Sequence, residues 1–401
     1  MMQALRTRSN ILWLQVFGLA GIQGAIALMW VIYNLYLPVF LAQFGFPKEF
    51  VALILLIENL LQIGMEPLMG NFSDRAQRWL GSRFPFVAVG VIIAATVSLS
   101  LPAIVIWGQP TPIFRWVLPI ALIAWAIAMT LFRSPALSLL GQYAFATKLP
   151  QAASVLVLVG TLIRSVGAAA NQFLLSLGPG ITFAAGSFVL LGTAAALQWV
   201  NPQAQVRETT AFQPKPKVSW LKLGLIFGTG TGIALASLMV MRSLFNPALP
   251  SGNIKLMLSL FTLVNLITIL PAGWLASRFQ QRTGGILAGL GVALGTLLLM
   301  AIAHASVLGL GLAIILGIAW SFVSNGAIPF ALAMVPPERA ALGTGLYFGG
   351  GALAASIFSR LAVQMGGTIP PSLGAGLGAI ALVLAGTCVF LGLRSRPAAP
   401  V

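Results

Sequence analysis

The sequence predicts an all-α membrane protein of twelve spans arranged as two related halves, and three observations predict it. Of its 401 residues, 59% are hydrophobic and 7% charged, with a mean hydropathy of +0.98, far outside the composition of soluble globular chains. The apolar residues gather into about twelve runs, each near the roughly 20 residues needed to cross about 30 Å of hydrocarbon. Finally, Gly70-Asn71-Phe72-Ser73-Asp74-Arg75, followed by Arg78, Gly81 and Arg83, returns 203 residues later as Gly273-Trp274-Leu275-Ala276-Ser277-Arg278 with Arg282 and Gly284. That offset is half the chain. Each copy sits between two apolar runs and reads as a short polar connection in a duplicated bundle.

In chain order the runs occupy about 11-37, 50-70, 85-107, 116-141, 152-176 and 180-199, then 218-244, 254-275, 284-303, 307-333, 343-365 and 373-393. The first is too long for a signal-peptide core and lacks a small-residue cleavage site, so it is expected to be retained as a span. Runs 2 and 3 flank the first copy of the repeat, and runs 8 and 9 flank the second. The polar stretch 200-217, with Pro202, Pro214 and Pro216 among its charges, reads as a linker between an N-terminal bundle at 1-199 and a C-terminal bundle at 218-401. Inside the runs glycine recurs at fourth positions, as in Gly224, Gly228 and Gly232, Gly285 and Gly289, Gly291 and Gly295, and Gly345 and Gly349. Small faces of this kind let helix backbones pack closely in lipid, where apolar side chains gain little by association.

The basic residues orient the chain. With the N-terminus inside, fifteen fall on the cytoplasmic side: Arg6, Arg8, Arg75, Arg78, Arg83, Lys148, Arg207, Lys215, Lys217, Lys222, Arg278, Arg282, Arg339, Arg394 and Arg396. Only Lys48, Arg115 and Lys255 fall outside. The bias predicts both termini cytoplasmic. It also accounts for most of the formal charge of +16, so no nucleic-acid partner is expected.

Cys388 and His304 are each single, which leaves no thiolate or histidine cluster for a metal and no internal disulfide. No lysine-bearing phosphate loop or Ser-His-Asp set is visible either, so neither ATP-driven transport nor catalysis is expected, and no cofactor. Chemistry is expected at charges inside the spans, each of which costs a few kcal/mol to place there. These are Glu58, Glu66, Arg133, Arg164, Arg242 and Arg360. Arg133 and Arg242 have room to snorkel toward the span ends, and Glu66 is close enough to the repeat to pair with its arginines. Glu58 and Arg164 lie too deep for that. Arg164 is expected to face the boundary between the halves and Asn265 of span 8.

The doubled Gly-x-x-x-Asp/Ser-Arg loop resembles the signature of the major facilitator superfamily. Ile57-Glu58-Asn59-Leu60, Glu66-Pro67-Leu68-Met69-Gly70, Ser73-Asp74-Arg75, Gly81-Ser82-Arg83-Phe84-Pro85-Phe86 and Arg133-Ser134-Pro135-Ala136-Leu137 are similar to the glycoside-pentoside-hexuronide cation symporters and the sucrose-type carriers. Two departures stand out: Arg133 occupies a place where some such carriers have an acid, and the sugar-binding acids of span 1 are missing.

The resemblance implies two six-helix bundles around a central cavity lined by spans 1, 4, 7 and 10. Gln23, Asn34, Arg133, Trp320 and Asn325 then become candidates for the solute, on spans that also carry Trp30 and Ser321 at mid-depth, since a sugar needs an aromatic face and amide or charged hydrogen-bonding groups. Arg164 and Asn265 complete that set. Asp74 and Arg75 are expected to gate the cytoplasmic end, with Asp74 accepting hydrogen bonds at a neighbouring helix N-terminus. Glu58 is expected to carry a coupling proton under the control of Arg360 on span 11.

The expected function is proton-coupled symport of a sugar or glycoside by alternating access, as a monomer in a bacterial inner membrane. Its arginines suggest an organic anion as the alternative cargo. A relative that delivers a pigment or lipid without transporting is the third reading.

Overall fold

A computed structural model describes residues 11–109, 111–201, 218–245, 252–278, 284–303 and 307–395. Twelve helices among them are long and apolar enough to span a membrane. They are α1 (Trp13–Gln43), α2 (Glu49–Leu80), α3 (Phe84–Trp107), α4 (Phe114–Tyr143), α5 (Leu149–Ala169) and α6 (Gly178–Val200), then α7 (Trp220–Leu244), α8 (Asn253–Ala276), α9 (Gly284–Ile302), α10 (Val307–Met334), α11 (Pro337–Gln364) and α12 (Pro371–Arg394). The expected linker lies almost entirely outside the described residues, as do His304 and Arg282. Two apolar cores form. One gathers α1 to α6 around Tyr33, Trp125, Phe132 and Phe183; the other gathers α7 to α12 around Phe245, Phe261, Leu316 and Phe330.

Helix ends depart from the sequence expectation in an instructive way. The first repeat is not a loop: α2 continues through Gly70 to Leu80, and the turn comes only at Gly81, whose φ of 71° ends the helix in the left-handed region. Polar residues beyond the hydrocarbon carry no signal that stops a helix, whereas a glycine at C′ does. The expected span 152-176 breaks at Ala170 into α5 and a short helix, Asn171–Ser176.

The halves meet along α2 against α11 and α5 against α8. At both seams the repeat supplies the contact. A Cβ on Gly70 would lie 2.1 Å from the Ala341 carbonyl oxygen, and one on Gly273 would lie 2.5 Å from the Ser154 Cβ and 2.9 Å from the Pro150 carbonyl oxygen. Gly345 repeats this against the Glu66 carbonyl at 2.4 Å, and Gly349 against the Ile63 carbonyl at 2.9 Å. Pro67, which lacks an N–H, leaves the Ile63 carbonyl without its helical donor. Among the glycines expected to pack, Gly228, Gly232, Gly285 and Gly289 do so, while Gly224, Gly291 and Gly295 face open space.

Candidate functional site

Beside these seams lies a cavity of about 1140 Å³, lined from both halves. Helix α1 turns Gln23, Trp30 and Asn34 toward it, α2 adds Asn59 and Gln62, and α4 adds Arg133. Arg164 of α5 and Asn171 of the following short helix complete the wall from the first half. From the second half come Arg242 and Phe245 at the end of α7 and Phe348 on α11. The cavity therefore extends toward the end of the bundle that carries Asn171 and Phe245. Toward the repeat it stops at the glycine seams.

Arg133 forms the floor. Its guanidinium lies 2.5 Å from the Glu66 carboxylate, 3.5 Å from Gln62 Oε1 and 4.6 Å from the centre of the Phe348 ring in the opposite half. Glu66 is fully buried and Arg133 is 17% exposed, so the arginine covers the acid. The sequence pointed Glu66 toward the repeat's arginines; its partner is instead a span away, because α2 continues as a helix and carries those arginines beyond reach. Around this pair, the Ser134 hydroxyl donates to the Glu66 carbonyl at 3.3 Å and the Thr344 hydroxyl to the Ser134 carbonyl at 2.9 Å, tying α2, α4 and α11 together.

Arg164 and Arg242 differ from Arg133 in having no carboxylate within ion-pair distance among the described residues. Arg164 Nη2 reaches only the Thr161 hydroxyl, at 3.4 Å on its own helix. Arg242 sits in a π-helical turn, Val240–Leu244, at the end of its span, where it is exposed and lines the cavity. Sequence reasoning left it out of the candidate site. Its being a charge inside a span was the available signal, and the π-turn that aims it is not legible in the sequence. Two further buried atoms in this wall lack partners: Gln23 Oε1 and Trp30 Nε1. Asn34 faces the cavity while donating to the Trp30 carbonyl at 2.7 Å.

Three expected solute ligands are not brought to the cavity. Asn325 Nδ2 donates to the Ile269 carbonyl at 2.7 Å, bonding α10 to α8. Asn265 is buried at the same seam, where its carbonyl accepts from the Ser321 hydroxyl at 3.2 Å, and it does not line the cavity that Arg164 faces. Trp320 is half-buried against the second core. The reason is packing: Gly317 and Ser321 let α10 approach the α8 backbone, which rotates these amides into the seam.

Glu58 stands apart from the cavity. It is 2% exposed and accepts a hydrogen bond from the Tyr33 hydroxyl. Tyr33 stacks on Trp125 with ring centres 4.2 Å apart, and Trp30, which lines the cavity, meets Trp125 edge-on at 5.1 Å, so these aromatic rings stand beside Glu58 at the cavity wall. The expected contact with Arg360 is absent. Helices α2 and α11 do pack against each other, but their antiparallel register pairs Gly70 with Ala341 and Glu66 with Gly345. Extended along α11, it puts Glu58 level with roughly residue 353, so Arg360 lies about 10 Å further on at 1.5 Å per residue. Arg360 is also exposed.

At the repeat, Asp74 accepts three hydrogen bonds: from Arg83 Nη2 at 2.8 Å, from the Ala341 N–H at 3.1 Å and from the Leu342 N–H at 2.9 Å. The last two are free donors in the first helical turn of α11, where a carboxylate also meets the positive end of the helix dipole. Arg83 donates to the Pro337 carbonyl as well, at 2.7 Å. It is 1% exposed; burial pulls its pKa below the usual arginine value, opposed by the Asp74 and Glu338 carboxylates. Arg75, expected to gate with Asp74, is exposed and only approaches the Phe72 ring, at 5.9 Å. Arg83 takes that place because the turn at Gly81 folds it back onto Asp74.

No family model and no curated protein matches the chain. Solved structures do. The chain is similar to a bacterial homologue of the iron transporter ferroportin in its outward-facing state, with a TM-score of 0.71 at 18% identity over 96% of this chain and 100% of that one. The iron-soaked form of that homologue gives 0.69 at the same identity and coverage. The fucose:proton symporter of Escherichia coli gives 0.63 at 14% identity over 97% of this chain and 100% of that one. The chain has the major facilitator fold. Its twelve apolar helices make it an integral, multi-pass membrane protein.

Proposed function

We propose that this chain is a secondary transporter that moves a small polar solute by alternating access, its two halves rocking about the cavity between them. The observation that carries this reading is a cavity inside a membrane bundle that places charged and amide side chains from both halves among apolar ones, closed at one end by inter-half contacts and extending toward the other. With both termini cytoplasmic, as the charge bias predicts, the sealed end faces the cytoplasm and the cavity opens outward. The three acceptor bonds of Asp74 then hold the inner gate, and the residues of 1-199 and 218-401 form the two moving bodies across the linker.

Glu58 is the proposed proton carrier. A carboxyl removed from water with a tyrosine hydroxyl as its hydrogen-bonding partner, and no cation beside it, is suited to change protonation as the halves rearrange. A sugar or glycoside would find Trp30 for its apolar face and Gln23, Asn34, Asn59 and Gln62 for its hydroxyls. The second reading, an organic anion, is favoured by Arg164 and Arg242, which no carboxylate among the described residues balances. Counterflow in proteoliposomes with labelled sucrose and labelled succinate, under an imposed pH gradient, tests both. Exchange of either solute supports transport, and exchange of neither by well-folded protein across a broader solute panel argues against it.

A further inference from the structure

The acidic residues of this chain are few enough to be followed one by one. There are six. Glu66 balances Arg133 and Asp74 balances Arg83. Glu58 is turned away behind Tyr33, Glu49 and Glu338 stand at helix beginnings outside the cavity wall, and Glu208 belongs to the linker, outside the described residues. Glu338 is the single acid in all of 218-401. Three arginines line the cavity, so two positive charges, Arg164 and Arg242, are left over. A guanidinium keeps its charge in any site. Water can hydrate both while the cavity is open, but in an occluded state they would repel each other in a medium that screens poorly.

We infer that the cavity takes a small dianion, gripped at once by Arg164 from the first half and Arg242 from the second. The inference rests on the transport reading for its consequence, because a cargo that bridges the halves neutralises the cavity and draws its open end closed. Both arginines are exposed in the cavity wall, and the backbone that carries each is placed by close packing. Gly160, one turn before Arg164, leaves the space that Arg164 Nη1 and Gln23 Nε2 border, at 3.5 and 3.2 Å from where a Cβ would stand. The π-turn that aims Arg242 is pinned by Ser243, whose hydroxyl donates to the Ile369 and Pro370 carbonyls at 3.0 and 3.2 Å, with Gly374 making room for it. Guanidinium groups bind carboxylates and phosphates equally well through paired N–H bonds. A dicarboxylate carries its charges at two ends and a phosphate monoester on one group, so the separation of the two guanidiniums decides which of them is held.

The test is calorimetric binding of succinate, glycerol phosphate, lactate and sucrose to the purified full-length protein. At least one dianion should bind about ten-fold more tightly than lactate, in keeping with a second charge-assisted contact. Which dianion it is separates the two charge arrangements. Arg164→Gln and Arg242→Gln should each weaken that binding by at least about ten-fold, with Arg242→Lys intermediate and all three variants monodisperse. Failure of both dianions to bind, sucrose or lactate binding as tightly, or dianion binding indifferent to both glutamine variants would overturn the inference. Counterflow keeps the two readings apart. Sucrose exchange without dianion binding would leave transport standing and end this inference, whereas dianion binding without exchange of any solute would do the reverse.

Discussion

Glu58 and Glu66 lie two turns apart on one helix, and their partners set them different tasks. Glu66 is locked to Arg133, so Arg133→Gln would strand a buried carboxylate and should destabilise the protein by about 3–5 kcal/mol. The double variant Arg133→Gln with Glu66→Gln removes both charges and should recover much of that loss. Thermal unfolding in detergent measures the difference, and a double variant as unstable as the single one would show that the ion pair is not what the substitution breaks. Glu58, with a hydroxyl for its partner, has no such obligation. Glu58→Gln is expected to keep energy-independent counterflow while losing accumulation driven by a pH gradient, and Tyr33→Phe should shift the pH dependence of that accumulation. Uphill uptake that survives in Glu58→Gln would remove this residue from coupling.

Pairs of helices, rather than single ones, make the seams between the halves. Along α2 and α11 the backbones come so close that the Cβ positions of Gly70 and Gly345 are occupied by carbonyl oxygens of the opposite helix. Gly345→Val should therefore force the seam apart while leaving each bundle's own core intact. In a Cys388→Ala background, a cysteine placed at Ser73, which is buried here, should react with a membrane-impermeant maleimide several-fold faster once Gly345 is valine. An unchanged rate would mean that the close approach does not hold this end shut. The repeat explains itself at this scale: its first glycine, in both copies, is where one half touches the other.

For the whole molecule, the contact of Asp74 with Arg83 and the start of α11 connects the halves far from the cavity. Asp74→Asn removes the charge that attracts both the guanidinium and the helix N-terminus, so the population should shift toward opening at this end. Spin labels across it on α2 and α11 should report longer distances in the variant, and an unaltered distribution would assign Asp74 to stability alone. The orientation itself is testable. Reporter fusions at the two termini should both report the cytoplasm, and opposite signals would invert the assignment of the open cavity to the outside.

Hydropathy and duplication determined the class, the twelve spans and the kinship of the two halves, because crossing a bilayer imposes length and composition on each span independently of its neighbours. The acceptor role of Asp74 at a helix N-terminus was legible for a related reason: a carboxylate beside unsatisfied N–H groups is local chemistry. Partnership was not. A span that is apolar on every side does not encode its own rotation, so nothing local distinguished Gln23, which faces the cavity, from Asn325, which faces a seam. Only the docking of α4 on α2 chose Arg133 for Glu66. Only the register of α2 against α11 kept Arg360 from Glu58, and only the turn at Gly81 preferred Arg83 over Arg75. These choices join residues tens to hundreds of positions apart, and they are made by backbone approach at glycines whose neighbours belong to another part of the chain.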